Sequence, residues 1–126
     1  MAVKYSIIQR IKPGDPAAPR KFYAIAKSSG EVKLRELAER IAEISTVSSI
    51  DTLAVLESLI TVIPTQLLAG RIIKLGDFGT FRLTLSSEGT DTEEEFSKNN
   101  IKRLKLNFRP GKIISTELRM VDYQKV

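Results

Sequence analysis

An α+β fold is predicted from two patterns in the sequence. Apolar residues recur at helical spacing through two adjacent stretches in the first half of the chain, and on both sides of them apolar and polar residues alternate with the two-residue period of strands. A third observation, the gathering of basic residues in the strand regions, bears on what the fold does.

Val3, Tyr5 and Ile7 alternate with Lys4 and Ser6, and Phe22, Ala24 and Ala26 alternate with Tyr23 and Ile25, so two strands are expected. Between them, Lys12-Pro13-Gly14-Asp15-Pro16-Ala17-Ala18-Pro19 is too rich in proline for a ladder and forms the loop of a hairpin. Ser28-Ser29-Gly30 punctuates the chain. Leu34, Leu37, Ala38, Ile41 and Ile44 then recur at helical spacing, which predicts a first helix over Val32 to Ile44.

The second helix is bounded by Ser48 with Asp51, a capping-box pattern, and by Gly70, placed for a left-handed C-terminal residue. Leu53, Leu56, Leu59, Ile60, Ile63, Leu67 and Leu68 cover more than one face, so burial on two sides is expected, as at a dimer interface. Pro64 removes a backbone donor, which predicts a bend near Ile60.

Arg71 to Leu75 is strand-like, Gly76-Asp77 is a turn, and Phe78 to Leu85 begins another strand. Ile101 to Phe108 alternates again, so these two longer strands are expected to pair as a ribbon across the acidic segment Glu88 to Glu95. Arg109-Pro110-Gly111-Lys112 ends the ribbon, and Ile113 to Met120 forms a short final helix before a tail containing Tyr123.

The 126 residues are 42% hydrophobic and 28% charged, a composition that folds. That length accommodates one domain with an appendage, divided here as an N-terminal β-hairpin extension, 1–29, and a main domain, 30–126. With no Cys and no His, the chain lacks thiolate chemistry, the commonest general base and the commonest nitrogen ligand for metals, so no enzyme activity, cofactor or metal site is expected. Glu93, Glu94 and Glu95 form a solvated acidic run with no base or histidine to pair with. No run approaches the roughly 18 apolar residues of a membrane span, and Met1 to Arg10 lacks the apolar block of a signal peptide, so a cytoplasmic protein is expected.

The net charge is +5, and its distribution is uneven. Residues 1–30 carry +5, 31–70 carry −3, 71–87 carry +2, 88–97 carry −5 and 98–126 carry +6. A basic sheet over an acidic helical body suits a polyanionic partner better than a uniform solubilising coat does.

Two helices, then Gly76-Asp77-Phe78-Gly79-Thr80-Phe81, a ribbon, and Phe108-Arg109-Pro110-Gly111-Lys112 together resemble the HU and integration host factor family of histone-like bacterial DNA-binding proteins, from about Gly30 to Leu118. The N-terminal hairpin is foreign to ordinary HU and resembles a variant HU-like branch with an added strand pair. The resemblance implies an intertwined homodimer: a helical body, a β-sheet saddle and two β-ribbon arms that embrace double-stranded DNA in the minor groove, with little sequence specificity. It implies a nucleoid-associated, architectural role in DNA condensation.

By the same resemblance Phe78, Phe81 and Phe108 pack in the dimer core, Gly76 and Gly79 permit the tight strand connection, and Arg109, Pro110, Gly111 and Lys112 form the element that approaches phosphate. Arg82, Lys102, Arg103 and Lys105 lie on the ribbon strands, where alternation sends Arg103 and Lys105 to one face and Lys102 to the other. For Lys102 and for Lys74, in the saddle, DNA contact and a solvated edge both remain open. The arm departs from the family, because its tip has no proline wedge and carries Glu93-Glu94-Glu95, which phosphate repels. Phe96 is open between an apolar wedge and packing against the ribbon or hairpin. The alternative function is an HU-fold protein-interaction or structural module with weak or no DNA binding, docking a protein partner through the N-terminal hairpin or the acidic arm.

Overall fold

In the computed structural model, which describes residues 1–126, the elements fall into two units: Met1–Lys33 with Glu117–Val126, and Leu34–Thr116. The first unit is a three-stranded sheet in the order β2-β1-β6. Strands β1 (Ala2–Arg10) and β2 (Lys21–Ala26) form the expected antiparallel hairpin, with Ile7 opposite Ala24 and Arg10 opposite Lys21. The tail that contains Tyr123, in which no strand is expected from the sequence, forms β6 (Asp122–Lys125), parallel to β1 with Val3 opposite Tyr123. The pairing satisfies backbone groups along the free edge of β1, and Val126 N–H donates to the Tyr5 carbonyl at 2.9 Å to extend it.

In the second unit, α1 (Leu34–Ile44) begins two residues later than its periodicity suggested. Helix α2 (Ser49–Leu68) starts where predicted, with the Ser48 hydroxyl accepting from the Asp51 N–H at 3.1 Å. It ends in a Schellman arrangement: Gly70, at φ +85°, donates to the Leu67 carbonyl at 3.0 Å, and Arg71 donates to Gln66 at 3.2 Å. The helix runs unbroken through Pro64.

Helix α2 also has the length and mean hydropathy, 1.3, of a membrane span, contrary to the expectation that no run approaches one. Its serines and threonines interrupt the apolar run without making it very polar. The hydroxyls of Ser58, Thr61 and Thr65 return hydrogen bonds to carbonyls one turn back. Glu57 at mid-helix and packing against α1 and the sheet fit a protein interface better than lipid.

After α2 the expected strand from Arg71 to Leu75 shortens to β3 (Ile73–Lys74). It pairs with β4 (Gly79–Ser87), which pairs along its whole length with β5 (Ile101–Pro110) to give the predicted ribbon. Helix α3 (Lys112–Arg119) follows at once.

Apart from Gly79, only Ala38, Leu67 and Thr52 are buried. The chain exposes 10892 Å², whereas two separate compact bodies of these sizes would together expose about 8,000 Å². Large apolar side chains contribute to that exposed surface. Val55, Leu59 and Val62, spaced to share one side of α2, are 64%, 38% and 51% exposed, and Leu85 and Leu106 on the ribbon are 63% and 58% exposed.

Candidate nucleic-acid interface

The two faces of the ribbon are chemically opposite because the register of β4 on β5 keeps like with like. Phe81 faces Phe108, Leu83 faces Leu106 and Leu85 faces Leu104, so one face is wholly apolar there. On the other face Thr80 pairs with Arg109, Arg82 with Asn107, Thr84 with Lys105 and Ser86 with Arg103. The Asn107 amide donates to the Thr84 hydroxyl at 2.8 Å across the strands, tying this polar face together. Strand β3 adds Lys74 opposite Thr80, hence on the same side.

Five cations, Lys74, Arg82, Arg103, Lys105 and Arg109, are thereby brought to one face. None has a carboxylate partner: the sole ion pair in the structure joins Lys102 to Glu88. An array of like charges with no internal counter-ion is a surface that external anions stabilise.

Lys102 does not join this array. The register slips between Ser86 and Ser87, so that Ser86 faces Arg103 while Ser87 faces Ile101, and Lys102 is the extra residue of the bulge. Alternation alone placed Lys102 opposite Arg103 and Lys105, but the bulge that frees it to meet Glu88 has no simple sequence signal.

Pro110 and Gly111 belong to the junction with α3. Gly111 has no room for a side chain, since a Cβ there would overlap the Asp77 carbonyl, and its N–H donates to the Phe78 carbonyl at 2.8 Å. That N–H is engaged by the protein itself. Lys112 is exposed at the start of α3, just beyond this junction.

The three aromatic residues cluster, with ring centroids 5.5 Å apart for Phe78 and Phe108 and 4.8 Å for Phe81 and Phe108. Gly79 is buried beneath them, and a Cβ there would lie 2.5 Å from the Phe108 ring. Gly76, at φ +54°, makes the turn that precedes it.

The ribbon tip folds as an irregular loop. Glu88 N–H donates to the Asn100 carbonyl at 2.8 Å, and Ser97 and Asn100 cap each other around a single 3₁₀ turn, Lys98–Asn100. Phe96 is 41% exposed. Asn107 and Thr84 are polar members of the cationic face that sequence reasoning passed over. Their signal was there, since both sit in phase with Arg82, Arg103 and Lys105.

A family model described as HU domain fused to wHTH, Ig, or glycine-rich motif (HU-HIG) matches residues 1–125. A crystal structure of a candidate bacterial DNA binding protein from Bacteroides vulgatus ATCC 8482 superposes with a TM-score of 0.65 over 98% of this chain at 9% identity, which shows a shared fold. The match spans 49% of that protein, so the present chain corresponds to about half of it. No curated protein matches the sequence.

Proposed function

The chain belongs to the HU-HIG family, and from that membership we propose that it is an architectural DNA-binding protein of the HU type, acting as a homodimer that contacts the DNA backbone and minor groove with little sequence specificity. The observation that carries this reading is the ribbon face on which Lys74, Arg82, Arg103, Lys105 and Arg109 stand together without a carboxylate. Side chains of this kind on a sheet contact phosphate and leave most base edges unread. Arg109 and Lys112 flank the junction at the end of the ribbon and extend the basic surface. The solved relative being described as a candidate DNA binding protein agrees with this reading.

Dimerisation is supported by uncovered apolar surface. The excess over two compact bodies is about 2,900 Å² per chain, the scale that an extensive obligate homodimer covers. Val55, Leu59 and Val62 on α2 and the apolar face of the ribbon supply surface of the right character.

A second reading, a protein-interaction module on the same fold, is favoured by one feature, the acidic ribbon tip. Binding of a labelled duplex of about 30 base pairs across a salt series separates the two. Steep salt dependence with equal affinity for a scrambled duplex supports backbone binding, and no binding at low salt supports the protein module. Charge reversal at Arg109 and Lys112 is expected to abolish DNA binding and to leave protein docking intact.

A further inference from the structure

The hairpin between β1 and β2 presents a second basic site, in a different unit from the ribbon. Its outermost rung pairs Arg10 directly with Lys21, and like charges directly opposite on a sheet repel. No carboxylate answers them. Lys12 follows two residues after Arg10, and the three cations line a cavity of about 290 Å³ with Tyr23, Ala18 and Pro19. Tyr23 stands on the same face as Lys21, and the Arg10 guanidinium lies 5.9 Å from the centre of its ring.

The loop that walls this cavity is held in shape. Asp15 N–H donates to the Lys12 carbonyl and Ala18 N–H to the Asp15 carbonyl, each at 3.2 Å, while Pro13, Pro16 and Pro19 fix their own φ angles. Asp15 is the one acidic residue nearby, and its carboxylate accepts from the Ala17 N–H at 3.2 Å without forming an ion pair. An anion entering here would meet cations with no internal counter-ion, carried on a hairpin whose backbone is already hydrogen-bonded.

We propose that Arg10, Lys12 and Lys21 form a second phosphate-binding surface that grips the backbone of duplex DNA, so that each chain contacts DNA through both the hairpin and the ribbon. The choice of DNA as the source of the phosphate rests on the function proposed above, whereas the anion site itself stands on the hairpin alone. The site gives the basic hairpin a role other than docking a protein, and it uses three of the six cations that make residues 1–30 basic. The opposite face of the same sheet carries Val3, Tyr5, Ile7, Ala24 and Tyr123, with Lys125 opposite Tyr5 as its one cation, and offers phosphate no cluster of charges.

The test uses the full chain and a labelled duplex of about 30 base pairs across a salt series, comparing two triple variants. One carries Arg10→Ala, Lys12→Ala and Lys21→Ala, and the other Arg103→Ala, Lys105→Ala and Arg109→Ala. Each phosphate left without its cation lowers the slope of log affinity against log salt by about 0.9, so the hairpin triple, which removes three cations from each chain of the dimer, is expected to lower it by about 5. Lys12→Glu alone lies outside the ladder, leaves the hairpin bonds in place and is expected to weaken binding at low salt. The paired exchange Arg10→Lys with Lys21→Arg is expected to retain the slope.

An unchanged slope in the hairpin triple and in Lys12→Glu, with a reduced slope in the ribbon triple, overturns this inference and leaves the proposed function standing. A reduced slope in the hairpin triple alone supports the hairpin and overturns the ribbon assignment. If light scattering shows that the hairpin triple loses self-association while its slope is unchanged, the patch receives the acidic ribbon tip of another copy and the inference fails. No duplex binding by the unmodified protein at low salt overturns both.

Discussion

The N–H of Gly111 donates to the carbonyl of Phe78 at 2.8 Å, which fastens the start of α3 to the turn before β4. The Ile113 N–H adds a second bond, to the Asp77 carbonyl at 3.2 Å. Two short motifs more than thirty residues apart thus form one junction, and the aromatic cluster of Phe78, Phe81 and Phe108 sits beside it.

Gly111→Ala is expected to destabilise the protein by about 2 kcal/mol or more, because the new Cβ would overlap backbone atoms of Asp77 that cannot move without breaking these bonds. Gly89→Ala serves as the comparison, since nothing lies within 4 Å of a Cβ there and its effect is expected to stay within about 0.5 kcal/mol. Urea denaturation of both variants checks the contrast, and equal midpoints would refute the junction's structural role.

On the ribbon, Arg103→Ala and Lys105→Ala are each expected to reduce the salt slope of DNA binding by about 1.8, one contact from each chain of the proposed dimer. Lys102→Ala is expected to change it little, because the bulge sets Lys102 apart and its ammonium faces Glu88. That ion pair is more than half exposed on both sides, so its loss is also expected to leave stability nearly unchanged. A Lys102 effect equal to that of Lys105 would count against the face assignment.

Leu59→Glu places a charge in the exposed apolar stripe of α2. In the proposed homodimer it is expected to lower stability by at least about 2 kcal/mol and to produce monomer in light scattering. The melting temperature of the unmodified protein is expected to rise with protein concentration, as linkage to dimerisation requires. A monomer with a concentration-independent melting temperature would remove the dimer from the proposal.

What was legible in the sequence was local. Ser48 marked its helix start through a hydroxyl that caps three residues on, Gly70 marked the end through a conformation few other residues adopt, and strict alternation drew the ribbon. What was not legible depended on distant partners. β6 has only four residues, and its strand character comes from pairing with β1 at the other end of the chain. The run from Arg71 to Leu75 has strand propensity throughout, yet β4 pairs with only two of its residues. The cationic face was half visible: alternation grouped Arg103 with Lys105 and set Lys102 apart, while the register that adds Lys74 and Arg82, and the bulge at Lys102, arise only when strands meet.

Replacing Glu93, Glu94 and Glu95 together with Gln tests how near the ribbon tip comes to DNA. The arm follows directly from strands whose polar face carries the cations, so a duplex lying along that face would bring phosphate towards the acidic tip. Within about one Debye length, each glutamate opposes binding by a few tenths of a kcal/mol, and removing three is expected to raise affinity about fivefold at low salt. The gain is expected to shrink as salt rises, because screening weakens the repulsion. Duplex titrations at two salt concentrations read both effects. Unchanged affinity at low salt would place the tip away from DNA and argue that the arm does not wrap the duplex, whereas a gain would mean that these glutamates limit how tightly it does.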